Sequence, residues 1–309
     1  MIRYLKHSEI DPEKWNQTVR NSLFSTIFAE YEMLDLLTGD GTWDALVLRH
    51  YEAVMPLPFR KKGVLKYVYT PFFMPQMGIF SDYELTGSEI DRFMNEVANR
   101  YVLSDVLLNE METTQNIYDD YYVSYFLDLQ SPYNELFSNF HENTKRNIKA
   151  GEKGLCQVTV GEEQIGDIID LFRHNRGHEE AVHYQEQDYE ILEIVANILS
   201  NRGLLEIYGI RTPEGKLAAG ALFVKDGIRR WFWFSGRYNE QSRYKPMFLL
   251  LNNYIRDHAG TGIHLDFNGS KNPNVARLYK GFGGIIYCIP FVRRYKNTFW
   301  RFVLKLIGK

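Results

Sequence analysis

The chain uses one hairpin twice. Three runs between Trp43 and Thr70, WDALVLRH, AVMPLPFR and VLKYVYT, read as strands from their apolar, β-branched and aromatic content. LLEIYGIR, KLAAGALFV and RRWFWFS, between Leu204 and Ser235, read the same way. At an offset of 164 residues Phe59 falls on Phe223, Lys61 on Lys225, Gly63 on Gly227, Val64 on Ile228, Lys66 on Arg230 and Tyr67 on Trp231. Both turns read Lys-x-Gly and then a β-branched residue, and turn chemistry of that kind sets hairpin register. The simplest account is one sheet-and-helix unit used twice, and 309 residues suffice for two domains.

Helical patterns flank each meander. Phe28 to Leu37 precedes the first; Glu89 to Arg100 follows it, with Ile90, Phe93, Met94 and Val97 on one face. Gln164 to His174 and Tyr189 to Ser200 precede the second. Met247 to His258 follows it, with Met247, Leu250, Leu251 and Tyr254 at helical spacing, and then comes GIHLDFNG, a strand ending in Asn-Gly. Between the units, residues 131–154 read as one helix, begun by a Ser131 cap with Pro132 in its first turn and ended at Gly151 or Gly154.

Charge bears on the choice of partner. The 36 Lys+Arg and 39 Asp+Glu leave a net charge of −3, so no global basic field points to nucleic acid and any anion site is local. Cys156 and Cys288, the only cysteines, are too few for a disulfide framework or a four-thiolate zinc site and suit a reducing cytosol. Met1 to Trp15 is charged throughout, unlike a signal peptide, and the longest charge-free stretch, Tyr67 to Ser81, is broken by Pro71 and Pro75. The expected location is cytoplasmic.

Trp231 to Gly284 carries a strand, loop, helix, strand and helix, and Asn272, Tyr279 and Gly283 are spaced Asn, seven on to Tyr, four on to Gly. This resembles the coenzyme-binding half of the GNAT acyltransferase fold. The segment NTKRNIKAGEKGL before a tandem second unit is similar to the Fem family of peptidoglycan-bridge aminoacyltransferases and their acetyltransferase-like relatives. The resemblance implies an α/β (α+β) chain of two tandem GNAT-like units, each a mixed, mostly antiparallel sheet flanked by helices. The expected domains are 1–130, joined by a C-terminal helix 291–309, and 131–290 with the linker helix 131–150. One departure stands out. GNAT enzymes hold the coenzyme pyrophosphate on backbone N–H groups of a glycine-rich turn opening a helix. Here the turn reads RYKPMF, with Pro246 and Phe248 in the glycine positions. That shifts weight to the Fem pattern, whose donor is an aminoacyl-tRNA.

The implied activity is N-acyl transfer from an activated donor, acyl-CoA or aminoacyl-tRNA, to a primary amine, with no bound cofactor and no metal. The alternative is a catalytically silent GNAT-derived module binding a phosphorylated or cell-wall precursor. Asp266 shares a strand face with His264 and Asn268, where a carboxylate takes up an amine proton, and Tyr279 matches the family position that protonates the leaving group. Arg243, Lys245, Asn268 and Asn272 are the donor-binding candidates. Lys145, Arg146 and Lys149, cations on adjacent turns of the linker helix, and His183 and Tyr184, in a loop over the acceptor cleft, are the acceptor or phosphate candidates. His174, His178 and His183 with Glu179 and Glu180 complete no metal shell. Cys288, in the apolar run IIYCIPF, reads as a buried thiol. Residues 291–309 hold six Lys/Arg and no acid among aromatics, a pattern that fits either packing on the first unit or peripheral membrane contact. The acceptor is a small-molecule or peptide amine, tRNA is a possible partner, and the oligomeric state is open.

Overall fold

The structure, a computed structural model, describes every residue except 40, 64, 111–119, 178–183, 270–271 and 307–309. It divides into two units, Met1–Tyr122 with Cys288–Lys309, and Val123–Tyr287.

The first unit runs β1 (Ile2–Leu5), α1 (Pro12–Asn21), α2 (Tyr31–Thr38), β2 (Trp43–Leu48), β3 (Ala53–Lys62), β4 (Leu65–Val68), β5 (Phe80–Ser81), α3 (Gly87–Arg100) and β6 (Leu103–Leu107). Strand β7 (Asp120–Asp128) carries the chain into the second unit. There follow α4 (Tyr133–Ser138), α5 (Glu142–Glu152), β8 (Gln157–Val160), α6 (Ile165–Asn175), α7 (Glu186–Asn201), β9 (Leu205–Arg211), β10 (Leu217–Asp226), β11 (Arg229–Arg237), α8 (Pro246–His258), β12 (His264–Asp266) and α9 (Pro273–Gly281). Strand β13 (Ile285–Tyr295) returns the chain to the first unit, which ends in α10 (Thr298–Leu306).

The repeat is visible in the ladders. Strand order is β1-β2-β3-β4-β6-β13 in the first unit and β8-β9-β10-β11-β12-β7 in the second. Every neighbouring pair that is described runs antiparallel except β4·β6 and β11·β12, which are parallel. Lys61 faces Lys66 and Lys62 faces Leu65 across the first hairpin; Lys225 faces Arg230 and Asp226 faces Arg229 across the second. Gly63 (φ 61°) and Gly227 (φ 58°) supply the left-handed turn residue in each.

The helices start and stop where local chemistry directs. Thr86 caps α3 in a capping box with Glu89, and Ile90, Phe93, Met94 and Val97 form its buried face. The expected single linker helix is in fact two, α4 and α5. Phe140 is buried against Phe137 and Phe282, and the His141 N–H donates to the Gly281 carbonyl at 2.9 Å, so the chain turns between them. Pro132, not Ser131, occupies the N-cap of α4. The second unit's core gathers Phe223, Phe232, Leu250, Tyr254, Leu265, Phe267, Tyr279 and Phe282 under α8 and α9. Cys288 is exposed, which corrects the expectation of a buried thiol: its neighbour Ile289 takes the inward position of the pleat. Among the described residues no helix is long and apolar enough to cross a membrane.

Candidate functional site

Two glycines bring α6 onto the sheet. Gly220 of β10 and Gly236 of β11 face each other across the ladder. A Cβ on Gly220 would stand 2.5 Å from Ile168 Cγ1, and one on Gly236 would stand 2.5 Å from the Phe172 backbone nitrogen. Only bare backbone permits this approach, which sets Phe172, Asn175 and Arg176 beside the end of β11.

A bulge then turns β11. Leu222 pairs with Phe234 and Phe223 with Phe232, leaving Trp233 as the extra residue. Phe234 therefore packs on Phe172 of α6, with centroids 4.8 Å apart. Phe232 faces the other side, 5.3 Å from Phe223 and edge-on to Tyr279 at 6.1 Å.

Beyond the bulge the parallel strands part. Pairing covers Arg229 with His264, Arg230 with Leu265 and Trp231 with Asp266; β12 ends there while β11 runs on to Arg237. The opening holds a cavity of about 280 Å³. Phe232, Ser235, Gly236 and Arg237 line it from β11, and Phe172, Asn175 and Arg176 from the end of α6. Asn239, Met247 and, from α9 and its cap, Asn272, Asn274, Val275, Leu278 and Tyr279 complete the wall. Among the described residues no carboxylate is in that lining. Helices α8 and α9 both begin here, each with proline as its first residue, so the positive ends of two helices reach the cavity.

Tyr279 is buried, its ring stacked on Phe267 at 4.6 Å and 16°. Burial pushes its pKa up, against a weaker downward pull from Arg176. The phenol stays protonated at neutral pH and is a proton donor. Arg237 is held below the usual arginine pKa by burial and by its neighbour Arg176.

Asp266 does not share this cavity, which corrects its pairing with Tyr279. Alternation puts Leu265 and Phe267 towards Tyr279, and Asp266 on the opposite face of the sheet with Phe126 and Tyr287. There its carboxylate accepts from the Tyr287 hydroxyl at 2.6 Å, the Asn268 N–H at 2.9 Å and the Ser124 hydroxyl at 3.4 Å, with Arg229 at 3.8 Å. It is a buried, fully partnered acid.

The remaining candidates scatter. Asn272 lines the cavity, though its side chain accepts from the Asn274 N–H at 2.9 Å and so caps α9. Asn268 (φ 55°) lies in the turn after β12 and outside the lining. Arg243 stands exposed over the Tyr244 ring, its centroid 4.6 Å away, and Lys245 is the left-handed residue (φ 50°) ahead of α8; neither reaches the lining. Phe248 turns towards Phe282, 6.1 Å away, rather than crowding the turn. Lys145 donates to Glu142 at 3.0 Å and to the Ser138 carbonyl at 2.9 Å, so α5 carries its own counter-charge, while Arg146 and Lys149 are exposed. Tyr184 stacks behind Phe172 at 5.9 Å, its pKa pushed up to about 12 by burial. His178, Glu179, Glu180 and His183 lie outside the described residues. His174 packs edge-on against Tyr238 at 4.9 Å. The sequence reading missed Arg176 and Arg237, whose only signal was two cations just past the ends of an expected helix and strand.

Residues 138–280 match the family model described as Acetyltransferase (GNAT) domain. No sequence match was found among curated proteins. In structure the chain is similar to FemX at 12% identity and a TM-score of 0.64, covering 99% of this chain and 100% of that one. It is also similar to L-PGS from Bacillus licheniformis (12% identity, TM-score 0.53, 97% of this chain and 98% of that one). A tandem GNAT protein from the clavulanic acid biosynthesis pathway matches at 11% identity and a TM-score of 0.54, over 96% of this chain and 99% of that one. At these identities the three likenesses concern the fold.

Proposed function

We propose, from the match of residues 138–280 to the GNAT acetyltransferase domain, that the chain transfers an acyl or aminoacyl group from an activated donor to a primary amine in the second-unit cavity. The observation that carries this is the parting of β11 and β12 at a bulge, with a buried tyrosine on the wall of the opening. An extended donor arm enters between the strands, and holding carbonyl and amine together supplies much of the rate. The amine nitrogen bonds to the carbonyl carbon and the bond to the thiolate or ribose oxygen breaks. Tyr279 gives its proton to that leaving group and regains one from the amine through water. No described residue of the lining is a carboxylate, and in this reading the amine arrives neutral or loses its proton to water.

Acyl-CoA and aminoacyl-tRNA remain the two donors to separate. The turn before α8 opens with Pro246, which has no N–H, and that favours a donor gripped by side chains over one gripped by backbone amides. Thermal-shift titration of the whole protein with acetyl-coenzyme A, with a charged tRNA and with a nucleotide-sugar peptide tests the reading, followed by mass detection of the acylated amine. Stabilisation by one donor together with product formation supports transfer. Stabilisation by the nucleotide-sugar peptide alone, without product from any donor, supports the silent binding module. The basic tail is the proposed membrane contact: Phe299 and Phe302 of α10 are 63% and 65% exposed beside Lys296 and Arg301. Co-sedimentation with anionic vesicles, lost in a Phe299→Ser, Phe302→Ser double variant, checks it.

A further inference from the structure

We propose that the turn end of the β3–β4 hairpin, with Lys61 and Lys62, docks on the anionic face of a phospholipid bilayer, at the edge of the first unit from which α10 springs. The inference rests on the membrane reading of the basic tail and adds a second contact, remote from the tail in sequence.

Register brings the hairpin and the tail to one edge. Lys62 faces Leu65 across the turn, and Lys61 faces Lys66. The Val102 N–H donates to the Lys66 carbonyl at 3.1 Å, and the Lys296 N–H donates to the Val102 carbonyl at 3.3 Å. Lys66 and Lys296 thus flank one residue, and α10 begins just beyond, at Thr298. The hairpin projects from this edge: β3 last pairs with β2 at Pro58, and the exposed Arg60, Lys61 and Lys62 pair, among the described residues, with β4 alone. The charge there has one sign. Asp44 is answered by Lys66 at 3.5 Å, Asp105 by Arg293 at 2.7 Å and Glu96 by Arg100. Among the described residues no carboxylate pairs with Lys61, Lys62, Lys296 or Arg301. The second unit makes the contrast. Lys225, which matches Lys61, and Arg230, which matches Lys66, share Glu206 at 3.7 and 3.9 Å. Like charges opposite each other weaken a ladder, so the first hairpin carries a repulsion that an anionic surface relieves. Apolar anchors accompany the charge: Phe299 and Phe302, three residues apart on one face of α10, are 63% and 65% exposed. Exposed rings enter the headgroup boundary while lysines meet lipid phosphate. A single-stranded RNA calls for a basic groove that tracks its backbone, and this edge offers a projecting hairpin instead.

The test is co-sedimentation of the full chain with vesicles of phosphatidylcholine alone and of phosphatidylcholine with about one-third phosphatidylglycerol. Wild type is expected to bind the anionic vesicles only, and less as salt rises. The double variant Lys61→Gln, Lys62→Gln lowers the partition coefficient about 30-fold, roughly 5-fold for each charge removed. Lys225→Gln, the second-unit counterpart, leaves it unchanged. Equal melting temperatures exclude misfolding, and a double variant that melts early is replaced by Lys62→Gln with Lys296→Gln in the same assay. Binding by the Lys61, Lys62 variant equal to wild type, yet lost in Phe299→Ser, Phe302→Ser, overturns the hairpin contact and leaves the tail reading standing. Binding lost with the two lysines but kept without the two phenylalanines sinks the tail reading alone. No binding of wild type to anionic vesicles sinks both, and a single-stranded oligoribonucleotide bound in their place, and weakened by the lysine variant, assigns the edge to RNA.

Discussion

In the first unit Asp44 of β2 accepts from Tyr4 and Tyr101 at 2.5 and 3.1 Å and has Lys66 of β4 at 3.5 Å. In the second unit Glu206 of β9 accepts from Tyr254 at 2.8 Å and His258 at 3.3 Å, with Arg230 of β11 at 3.9 Å. Lys66 and Arg230 are equivalent in the repeat, so both halves seal the hairpin with an acid, a tyrosine and a cation. Past that shared seal they diverge. Gly209 and Gly220 pair across β9 and β10 where Ala45 and Pro56 pair across β2 and β3. Asp266 stands opposite Trp231 where Leu103 stands opposite Tyr67. The ladder is inherited by both units; the close helix, the buried acid and the cavity depend on side chains that only the second has at those positions.

Copying the first unit into the second tests that division. Asp266→Leu, the residue at the equivalent place, leaves the Tyr287 hydroxyl and the Asn268 N–H without their acceptor and is expected to cost about 3 kcal/mol. Urea unfolding measures it, and turnover per folded molecule stays near wild type because the acid is across the sheet from the cavity. A large loss of turnover with intact stability would return Asp266 to the mechanism.

Gly236→Ala sets a methyl 2.5 Å from the Phe172 nitrogen, so α6 must back away at a cost of about 2 kcal/mol. Its ligand affinity falls together with its melting temperature, since Arg176 moves with the helix. Pro56→Ala in the first unit is expected to leave ligand affinity untouched.

The smallest effect is a pH dependence of the second seal. Burial lowers the His258 pKa, but bonds to Glu206 and to the Tyr254 carbonyl outweigh it and the net shift is upward from 6.5. A raised pKa means stability that is complete below about 6.5 and is lost as pH rises through the folded value. Glu206 shifts the other way: burial raises its pKa, but His258 and Tyr254 pull it below 4.5, so its share is present above 4.5 and lost as pH falls through the folded value. Thermal melts at pH 6 and pH 8 should show a wild-type difference of under about 1 kcal/mol that His258→Gln removes.

Much of the scaffold was readable beforehand because it is written in local pattern. Lys-x-Gly turns fix register, and the spacing of Ile90, Phe93, Met94 and Val97 fixes a helix face. The site was less readable. RRWFWFS reads as even alternation, and nothing in it shows that Trp233 is skipped and that Phe232 and Phe234 part to opposite faces. Asp266 and Phe267 were assigned to opposite faces by alternation, yet which face borders a cavity depends on α6, α8 and α9 packing from elsewhere in the chain. Arg176 and Arg237 line one cavity only because glycines distant in sequence let α6 down onto β11. Glu142, three residues before Lys145, was within reach of sequence reasoning as the counter-charge.

Steady-state turnover of Tyr279→Phe is the most direct test of acyl transfer at the second-unit cavity. The phenyl ring keeps the stack on Phe267, so melting temperature and KM should hold while kcat falls about 10²- to 10⁴-fold, the loss of a positioned proton donor. An unchanged kcat in a correctly folded variant would contradict the account.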